Sequence, residues 1–416
     1  MKIPTIQKLA MLLLFAGSLW GSIASAFPIL PPGAVPPTVQ PPAPTGPQIG
    51  SNSCGGIPAP NAYCDWTGDG SGVFIGDNSC NLEDSCTYLN WGNPGGTVRI
   101  GDNACNGQQS CSGASTATIG NESCNGYQSC WAVGQYGSAT IGNGSCNGNQ
   151  DCYEIGMRGA AEIGNDACHG DHACYYAGYR SEDEGAVSAS VTIGDGACNG
   201  YYACANAGYS ATGTATATIG AQSCNEGAAC QNAGYSEASM ANASISAQSC
   251  NGEQACKDAG HSAVETANAT IGNSTCNGSW ACYQAGYAEN SAANAHIGNQ
   301  SCNSDSACRN AGKDGIVEMI GSYACNGYAS CSNAGYGEIA EVGDGACNGY
   351  YACFNDDWNN GQSLSILGYS CNGYQTCNSG DITVNAGSCN NFQACNGRTD
   401  IIGPNQCNNP QECNDT

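Results

Sequence analysis

Apolar and polar positions along this chain alternate in short bursts rather than in long helical stripes. "TATATIG" at Thr214 to Gly220, "ANASIS" at Ala241 to Ser246 and "ANATIG" at Ala267 to Gly272 each set small apolar residues against Thr, Ser or Asn with a period of two. This alternation predicts strands buried on one face, with Ile turned inward and Thr or Ser outward. The bursts recur along the chain. "IGDGACNGYYACANAGYS" (Ile193 to Ser210) returns as "VGDGACNGYYACFNDDWN" (Val342 to Asn359). The unit behind both reads I-G-[DN]-x-[SA]-C-N-G-x-x-[SA]-C-x-x-A-G-Y, followed by a variable loop and a short A-x-A-T that leads into the next Ile-Gly. Such internal repetition predicts a solenoid, in which each turn stacks on the last and pairs its strand in parallel with the neighbouring turn.

Cysteine spacing sharpens the unit. Fifteen pairs have the form C-x5-C: Cys80 with Cys86, Cys105 with Cys111, Cys124 with Cys130, Cys146 with Cys152, Cys168 with Cys174, Cys198 with Cys204, Cys224 with Cys230, Cys250 with Cys256, Cys276 with Cys282, Cys302 with Cys308, Cys325 with Cys331, Cys347 with Cys353, Cys371 with Cys377, Cys389 with Cys395 and Cys407 with Cys413. The pair Cys54 and Cys64 alone departs from the spacing. Successive first cysteines lie 18 to 30 residues apart, yet the separation within a pair never changes. A disulfide inside each pair accounts for that constancy, because the bond requires Cα atoms roughly 4.4 to 6.8 Å apart. The alternative is that both residues simply face one core, and spacing alone does not decide connectivity.

Asn follows the first cysteine in fourteen of these fifteen pairs, from Asn81 and Asn106 to Asn390 and Asn408, with His169 as the exception. A stacked column of amides bonds from coil to coil at the roughly 4.8 Å spacing of neighbouring strands. Asn-Gly at this point is expected to supply the positive-φ backbone of a solenoid corner. The apolar content per turn is thin: one Ile, two or three Ala, a small residue before each cysteine, and the cysteines. At about 25 cal/mol per Å² such a turn gains little from burial, and 60 glycines raise the entropy cost of ordering the chain. A crosslink closing a loop of about seven residues contributes roughly 2 kcal/mol, so staples stand in for the missing core.

The segment C-x5-C-x2-A, as in Cys198 to Ala207 or Cys250 to Ala259, resembles the coil of the insect β-helical antifreeze proteins. The resemblance covers about ten residues per unit and implies a narrow solenoid stapled by a disulfide inside each coil. Those proteins carry a flat T-x-T array beside the cysteine, whereas the outward row here reads Arg99, Thr118, Thr140, Glu162, Thr192, Thr218, Ser244, Thr270, His296, Met319, Glu341 and Ser365. Charges and Met interrupt the row, so ice binding is kept only as an alternative.

Composition sets the compartment and excludes some partners. A chain of 416 residues with 32 Cys points to an oxidising environment. Lys2 and Lys8 precede the apolar run "LAMLLLFAGSLWGSIASA", which closes on Ala24-Ser25-Ala26 and reads as a signal peptide over residues 1–26. Its removal leaves 7 basic against 34 acidic residues, a net charge near -27. That balance argues against nucleic acid, which needs clustered Lys and Arg. Neutral glycans, cell-wall or matrix surfaces and diffuse cations remain as partners, and no cofactor is expected. Nine of the fifteen prolines fall between Phe27 and Gln48 and mark residues 27–49 as an extended spacer, with an N-terminal cap over 50–72 and solenoid repeats over 73–413. No later segment predicts a membrane span.

Two tyrosine rows are the candidate binding elements. Tyr179, Tyr209, Tyr235, Tyr287 and Tyr336 follow Ala-Gly, with His261 and Lys313 in the same slot; Tyr127, Tyr201, Tyr328, Tyr350 and Tyr374 follow Asn-Gly. Stacked along a solenoid they form aromatic strips that join an apolar face to hydrogen-bonding tips. The alternative is that they only cover the sheet edge. Catalytic constellations do not emerge: His169, His172, His261 and His296 sit in unrelated slots, and Asp195 and Asp344 read as turn formers beside Gly. "GDG" at 194–196 and 343–345 supplies one carboxylate per coil, too few for calcium. Eight N-x-[ST] sequons, at Asn121, Asn143, Asn242, Asn268, Asn273, Asn277, Asn299 and Asn414, are glycan acceptors in a eukaryotic host. The sequence thus predicts a secreted, non-catalytic, right-handed parallel β-solenoid of about fifteen coils, roughly 70 Å long at the β spacing, acting as a rigid extracellular structural or adhesive element, with a glycan- or surface-binding solenoid as the alternative and a polysaccharide-acting β-helix enzyme after that.

Overall fold

The structure is a computed structural model that describes residues 46–56, 60–66, 70–90, 92–93, 95–135, 137–179, 189–210, 213–237, 240–262, 266–286, 292–310, 318–334, 340–354, 364–378, 382–414. The expected signal peptide and most of the proline-rich spacer lie outside the described residues.

A parallel β-solenoid runs through this region. Sixteen strands form one parallel sheet in chain order, from Gln48–Ile49 through Val73–Ile75 and Val98–Ile100 to Ile382–Val384 and Ile401–Ile402. Each strand obeys the period-two pattern. In Thr214–Ile219 the three inward residues Ala215, Ala217 and Ile219 are buried, while Thr218 is exposed. Register is set by like against like: Ala215, Ala217 and Ile219 pair with Ala241, Ala243 and Ile245 of the next strand. A slip of one residue would turn every Ala and Ile outward, so the inward Ile column fixes the alignment. A second, two-stranded parallel sheet joins Cys64–Trp66 to Cys86–Leu89.

The sheet starts earlier than expected. Gln48–Ile49 pairs with Phe74–Ile75, so the last residues assigned to the spacer belong to the solenoid. The segment placed in the cap carries the same corner as the repeats, with the Ser53 hydroxyl 2.6 Å from the Gly76 carbonyl and the Gly55 N–H donating to Asn81 Oδ1 at 3.0 Å. The pattern "QIGSNSCGG" is a repeat with Gly in the Asn slot, disguised by the wider spacing of Cys54 and Cys64.

All sixteen disulfides close within a coil, which decides between the two readings of the constant spacing. Cys54 bonds Cys64, and fifteen bonds have a sequence separation of 6. Along the first part of the stack these are Cys80 to Cys86, Cys105 to Cys111, Cys124 to Cys130, Cys146 to Cys152 and Cys168 to Cys174. The middle coils contribute Cys198 to Cys204, Cys224 to Cys230, Cys250 to Cys256, Cys276 to Cys282 and Cys302 to Cys308. Cys325 to Cys331, Cys347 to Cys353, Cys371 to Cys377, Cys389 to Cys395 and Cys407 to Cys413 complete the series. No free cysteine remains. The sulfur pairs, the Ile and Val columns and the small residues beside each cysteine form one continuous buried cluster.

At the corners the expected division of labour is corrected. Neither Asn nor Gly of the Asn-Gly pair adopts positive φ. The first cysteine of every coil does, with φ between 54° and 61°. The glycine is required for close approach instead: a Cβ on Gly126 would lie 1.9 Å from the Gly148 carbonyl oxygen, and one on Gly349 would lie 1.8 Å from that of Gly373. On the Gly-bearing coils the bare Cα leaves room for the next coil's backbone, whereas Leu82, Glu226, Ser304, Asn391 and Asn409 hold the same slot on other coils.

The Asn column is bonded to backbone rather than to itself. Asn199 N–H donates to Asn225 Oδ1 at 3.0 Å, Asn225 N–H to Asn251 Oδ1 at 3.1 Å, and Asn251 N–H to Asn277 Oδ1 at 3.0 Å. The amide Nδ2 returns a bond to the preceding coil, as from Asn251 to the Gln222 carbonyl at 3.1 Å. Behind it runs a buried hydroxyl column: Ser249 Oγ donates to the Gly272 carbonyl at 2.7 Å and accepts from the Thr275 N–H at 3.2 Å. Each coil therefore supplies bond partners for corner donors and acceptors of its neighbour.

Candidate functional site

Stacking at the β spacing turns repeated slots into rows, and the aromatic rows are the part of the surface with the most chemistry to offer. Of the Ala-Gly-Tyr residues, Tyr179, Tyr209 and Tyr235 come together: ring centroids are 6.2 Å apart for Tyr179–Tyr209 and 5.5 Å for Tyr209–Tyr235, with planes 2° and 14° apart. His261 continues the row at 4.8 Å, tilted by 56°. Tyr287, Tyr336 and Lys313 lie outside the described residues. The turn beneath each Tyr needs glycine, since Gly234 has φ 77° and a Cβ there would sit 2.4 Å from the Thr216 carbonyl. These rings are half-buried, and burial raises the Tyr209 and Tyr235 phenols above their ordinary value. The Tyr235 hydroxyl adds a hydrogen bond to Glu237.

The Asn-Gly-Tyr residues divide. Tyr328, Tyr350 and Tyr374 stack at 5.0 and 5.3 Å, and Phe392 extends the run at 5.5 Å, all within 14° of parallel. These four are between 41% and 44% exposed, the only long aromatic run on the described surface presented so openly. Tyr127 and Tyr201 stand apart from it and from each other, because Gly227, Glu253, Ser279 and Asp305 hold the slot between Tyr201 and Tyr328, and Asn149 and Asp171 hold it between Tyr127 and Tyr201. Rings stacked on one another cover each other's faces. What such a run presents outward is therefore a comb of edges and hydroxyls.

A third row lies outside the consensus. Trp131, Tyr153 and Tyr175 each follow a second cysteine, namely Cys130, Cys152 and Cys174, and stack at 4.9 and 5.2 Å. "CW", "CYE" and "CYY" on three successive coils carried the signal, but that slot is variable elsewhere. Tyr176 links this row to Tyr179 at 5.0 Å, so ring contacts run from Trp131 to His261. Burial, aided by the charge of Glu154, raises the Tyr153 phenol to about 12.

Beneath this row lies an unexpected carboxyl. Asp151 occupies the small-residue slot before a second cysteine, where Ser129 and Ala173 stand on the adjacent coils, and it is fully buried. One oxygen accepts the Gly148 N–H and the other has no protein partner. Burial pushes its pKa up to about 8, against the opposing pull of the Gly148 bond.

The remaining candidates take structural places. Asp195 Oδ1 accepts the Asn165 N–H at 2.7 Å and Asp344 Oδ1 accepts that of Ser322 at 2.8 Å, part of a second acceptor column beside the first. His172 stacks on Tyr202 at 4.8 Å, and His296 aligns with Thr270 and Met319 on the outward face of the sheet. Three cysteine clusters close enough to hold an ion are made of disulfide sulfurs. Among the sequons, Asn242 and Asn268 spend their amides on a ladder, donating to Asn268 and Asn294 at 2.8 and 2.6 Å. No helix among the described residues is long and apolar enough to cross a membrane.

Residues 78–184, about a quarter of the chain, match the family model described as a domain of unknown function (DUF7640). No curated protein and no solved structure matches the chain. The matched stretch contains the five staples from Cys80–Cys86 to Cys168–Cys174, so the chain is similar to that family through the stapled coil itself.

Proposed function

We propose that the protein is a secreted, non-catalytic structural element, a stiff stapled solenoid that adheres to an extracellular surface through its exposed aromatic run. Sixteen disulfides fit an oxidising compartment. The observation that carries the adhesive part is the row Tyr328, Tyr350, Tyr374 and Phe392, which repeats at 5.0 to 5.5 Å along the stack. Three phenolic hydroxyls at that pitch suit a polymer lying along the solenoid and offering a hydrogen-bonding group at each step. The strongly acidic composition favours a neutral or cationic surface over an anionic one.

Two measurements test this. Protein recovered from the medium of its host is expected to begin at Phe27. Retention of the purified protein on host matrix is expected to fall at least fivefold when Tyr328, Tyr350 and Tyr374 are all changed to Ser. A chain found inside the cell with residues 1–26 attached removes the secreted reading, and unchanged retention removes the adhesive one.

A second reading, binding to ice or another ordered lattice, is favoured by the in-register outward row Thr192, Thr218, Ser244 and Thr270. Glu162 and His296 bound it on either side. Thermal hysteresis before and after Thr218→Lys decides it: absence of hysteresis in the wild-type protein ends this reading.

A further inference from the structure

The row after the second cysteine stops abruptly. On the coil before Trp131 the same slot holds Ser112, which follows Cys111 and precedes Gly113, and on the coil before that it holds Thr87, followed by Tyr88. Backbone bonds fix this alignment: Ala132 N–H donates to the Ser112 carbonyl and Gly113 N–H to that of Thr87, both at 2.8 Å. Trp131 thus has a ring neighbour at 4.9 Å on one side, in Tyr153, and a coil carrying only Ser and Gly on the other. Tyr88, 59% exposed, stands one coil further on.

The result is a hollow of about 590 Å³ with Trp131 and Tyr88 in its lining, Ser112 and Thr87 at its floor, and Asp84 and Gln109 among its polar groups. Two coils, roughly 9.6 Å at the strand spacing, separate Trp131 from the coil of Tyr88, which stands one slot over in line with Gly113 and Ala132, so the space above Ser112 and Gly113 admits one ring against the face of Trp131 turned from Tyr153. Gly113 keeps the floor low.

We propose that this hollow binds one neutral pyranose unit of a glycan, seated as the missing ring of the row. A sugar presents a C–H face to the indole and hydroxyls around its rim. Thr87 Oγ1 and Ser112 Oγ, 3.0 Å apart, form a buried hydroxyl pair at the floor. Gln109 accepts the Gln128 amide on its Oε1 at 2.7 Å, which holds its side chain in the lining. Asp84 provides carboxylate acceptors and, in a chain of net charge -25, excludes anionic sugars. A flat hydrocarbon ring would offer nothing to the Asp84 carboxylate and the Gln109 amide in the lining, whereas a pyranose brings hydroxyls to meet them. This site is separate from the exposed run at Tyr328 to Phe392 and does not depend on its adhesive role.

Saturation-transfer NMR with the hexasaccharides of β-1,4-glucose, β-1,4-mannose, β-1,4-xylose and β-1,4-N-acetylglucosamine, alongside tetramethylammonium chloride, tests the proposal on the full chain. At least one hexasaccharide is expected to receive saturation. Ser112→Tyr, which fills the gap with the protein's own ring, and Tyr88→Ser, at an exposed position, are each expected to weaken binding at least tenfold, while Glu253→Gln, exposed on a distant coil, leaves it within twofold. Circular dichroism confirms that the variants keep their strands. The proposal is overturned if no hexasaccharide binds, if tetramethylammonium binds alone, or if Ser112→Tyr binds as the wild type does.

Discussion

The middle coils and the last three coils build the same corner in two different ways. Between Cys198 and Cys302 each coil is 26 residues long and its strand spans five or six residues, as in Thr214–Ile219 and Met240–Ile245. The second cysteine leads into Ala-Gly followed by Tyr or His, and its N–H donates to the preceding coil, as from Cys230 to the Ala203 carbonyl and from Cys256 to the Ala229 carbonyl, both at 2.7 Å. From Cys371 onward the first cysteines are 18 residues apart and the strands shrink to two or three residues. Here Cys377, Cys395 and Cys413 also take positive φ, and the N–H of Cys377 and Cys395 donates forward to the next coil. Cys353 marks the changeover, with φ 55° and its N–H already turned forward to the Thr376 carbonyl at 2.8 Å. Asn follows the second cysteine as well in the last three coils, and a second acceptor column appears: Asn378 N–H to Asn396 Oδ1 at 3.1 Å and Asn396 N–H to Asn414 Oδ1 at 2.9 Å. The narrow coil is thus a Cys-Asn corner used twice, whereas the wide coil replaces one use with a broader Ala-lined sheet. The staple is common to both, so covalent closure and not sheet width is what the architecture keeps constant along its length.

Reduction separates the two regions most strongly. With every disulfide opened, each coil loses roughly 2 kcal/mol of loop closure. The 371–413 coils, with the least sheet to fall back on, are expected to lose amide-exchange protection first and the 198–302 coils last, before the whole solenoid unfolds. Protection surviving uniformly under reduction would mean that packing, not sulfur, holds the coils.

Next in size is close approach. Gly349→Ala forces a Cβ into the Gly373 carbonyl and is expected to cost more than about 3 kcal/mol, by separating two coils. Gly227→Ala, whose Cβ would meet nothing nearer than 4.0 Å, is the control in the wide region, expected to change stability by under about 0.5 kcal/mol. Chemical denaturation of both variants decides whether the glycine demand belongs to the corner.

Asp151→Ala is expected to stabilise by a few kcal/mol at pH 8, and to do nothing near pH 3. Below about pH 4 the carboxyl is protonated in folded and unfolded chains alike. Above that the unfolded chain ionises freely, while the buried group holds its proton until about pH 8. Stability conferred by the protonated form therefore declines across that window and levels off beyond it. Melting temperatures of wild type and variant from pH 3 to 9 are expected to diverge upward; parallel curves would show that the carboxyl is not titrating in the core.

Smallest is the acceptor column. Asn396→Ala and Asn251→Ala each remove one side-chain acceptor and are expected to cost about 1 kcal/mol. The narrow-coil variant is expected to show the larger local loss of amide protection, because its neighbours hold fewer strand bonds. Equal losses would mean that the two corner designs are energetically alike.

Much of this was legible in the sequence. The fold class followed from the period-two bursts and from constant pairing within variable repeats, and the inward Ile column emerged as read. The corner did not. Asn and Gly are the usual occupants of positive φ, so nothing in Asn-Gly betrays that the turn falls on Cys198 or Cys224, or that Gly126 is there to admit a neighbouring carbonyl. Those facts depend on the distance between coils, which no single repeat encodes. The Asn column was visible as a column, yet its bonding to backbone N–H depends on the cysteine conformation beside it. The Tyr179–Tyr209–Tyr235 row was found because its slot lies inside the consensus. Trp131, Tyr153 and Tyr175 escape the consensus because theirs does not, and Asp151 does so because averaging a slot hides a rare charged member.

Because every bond joins cysteines at most ten residues apart, the chain does not have to solve the pairing of 32 thiols at once. Each ring can be sealed as its own segment emerges during synthesis, with the finished turns below serving as the template for the next. Oxidation in chain order would then need only proximity within a turn, not a search among 32 thiols.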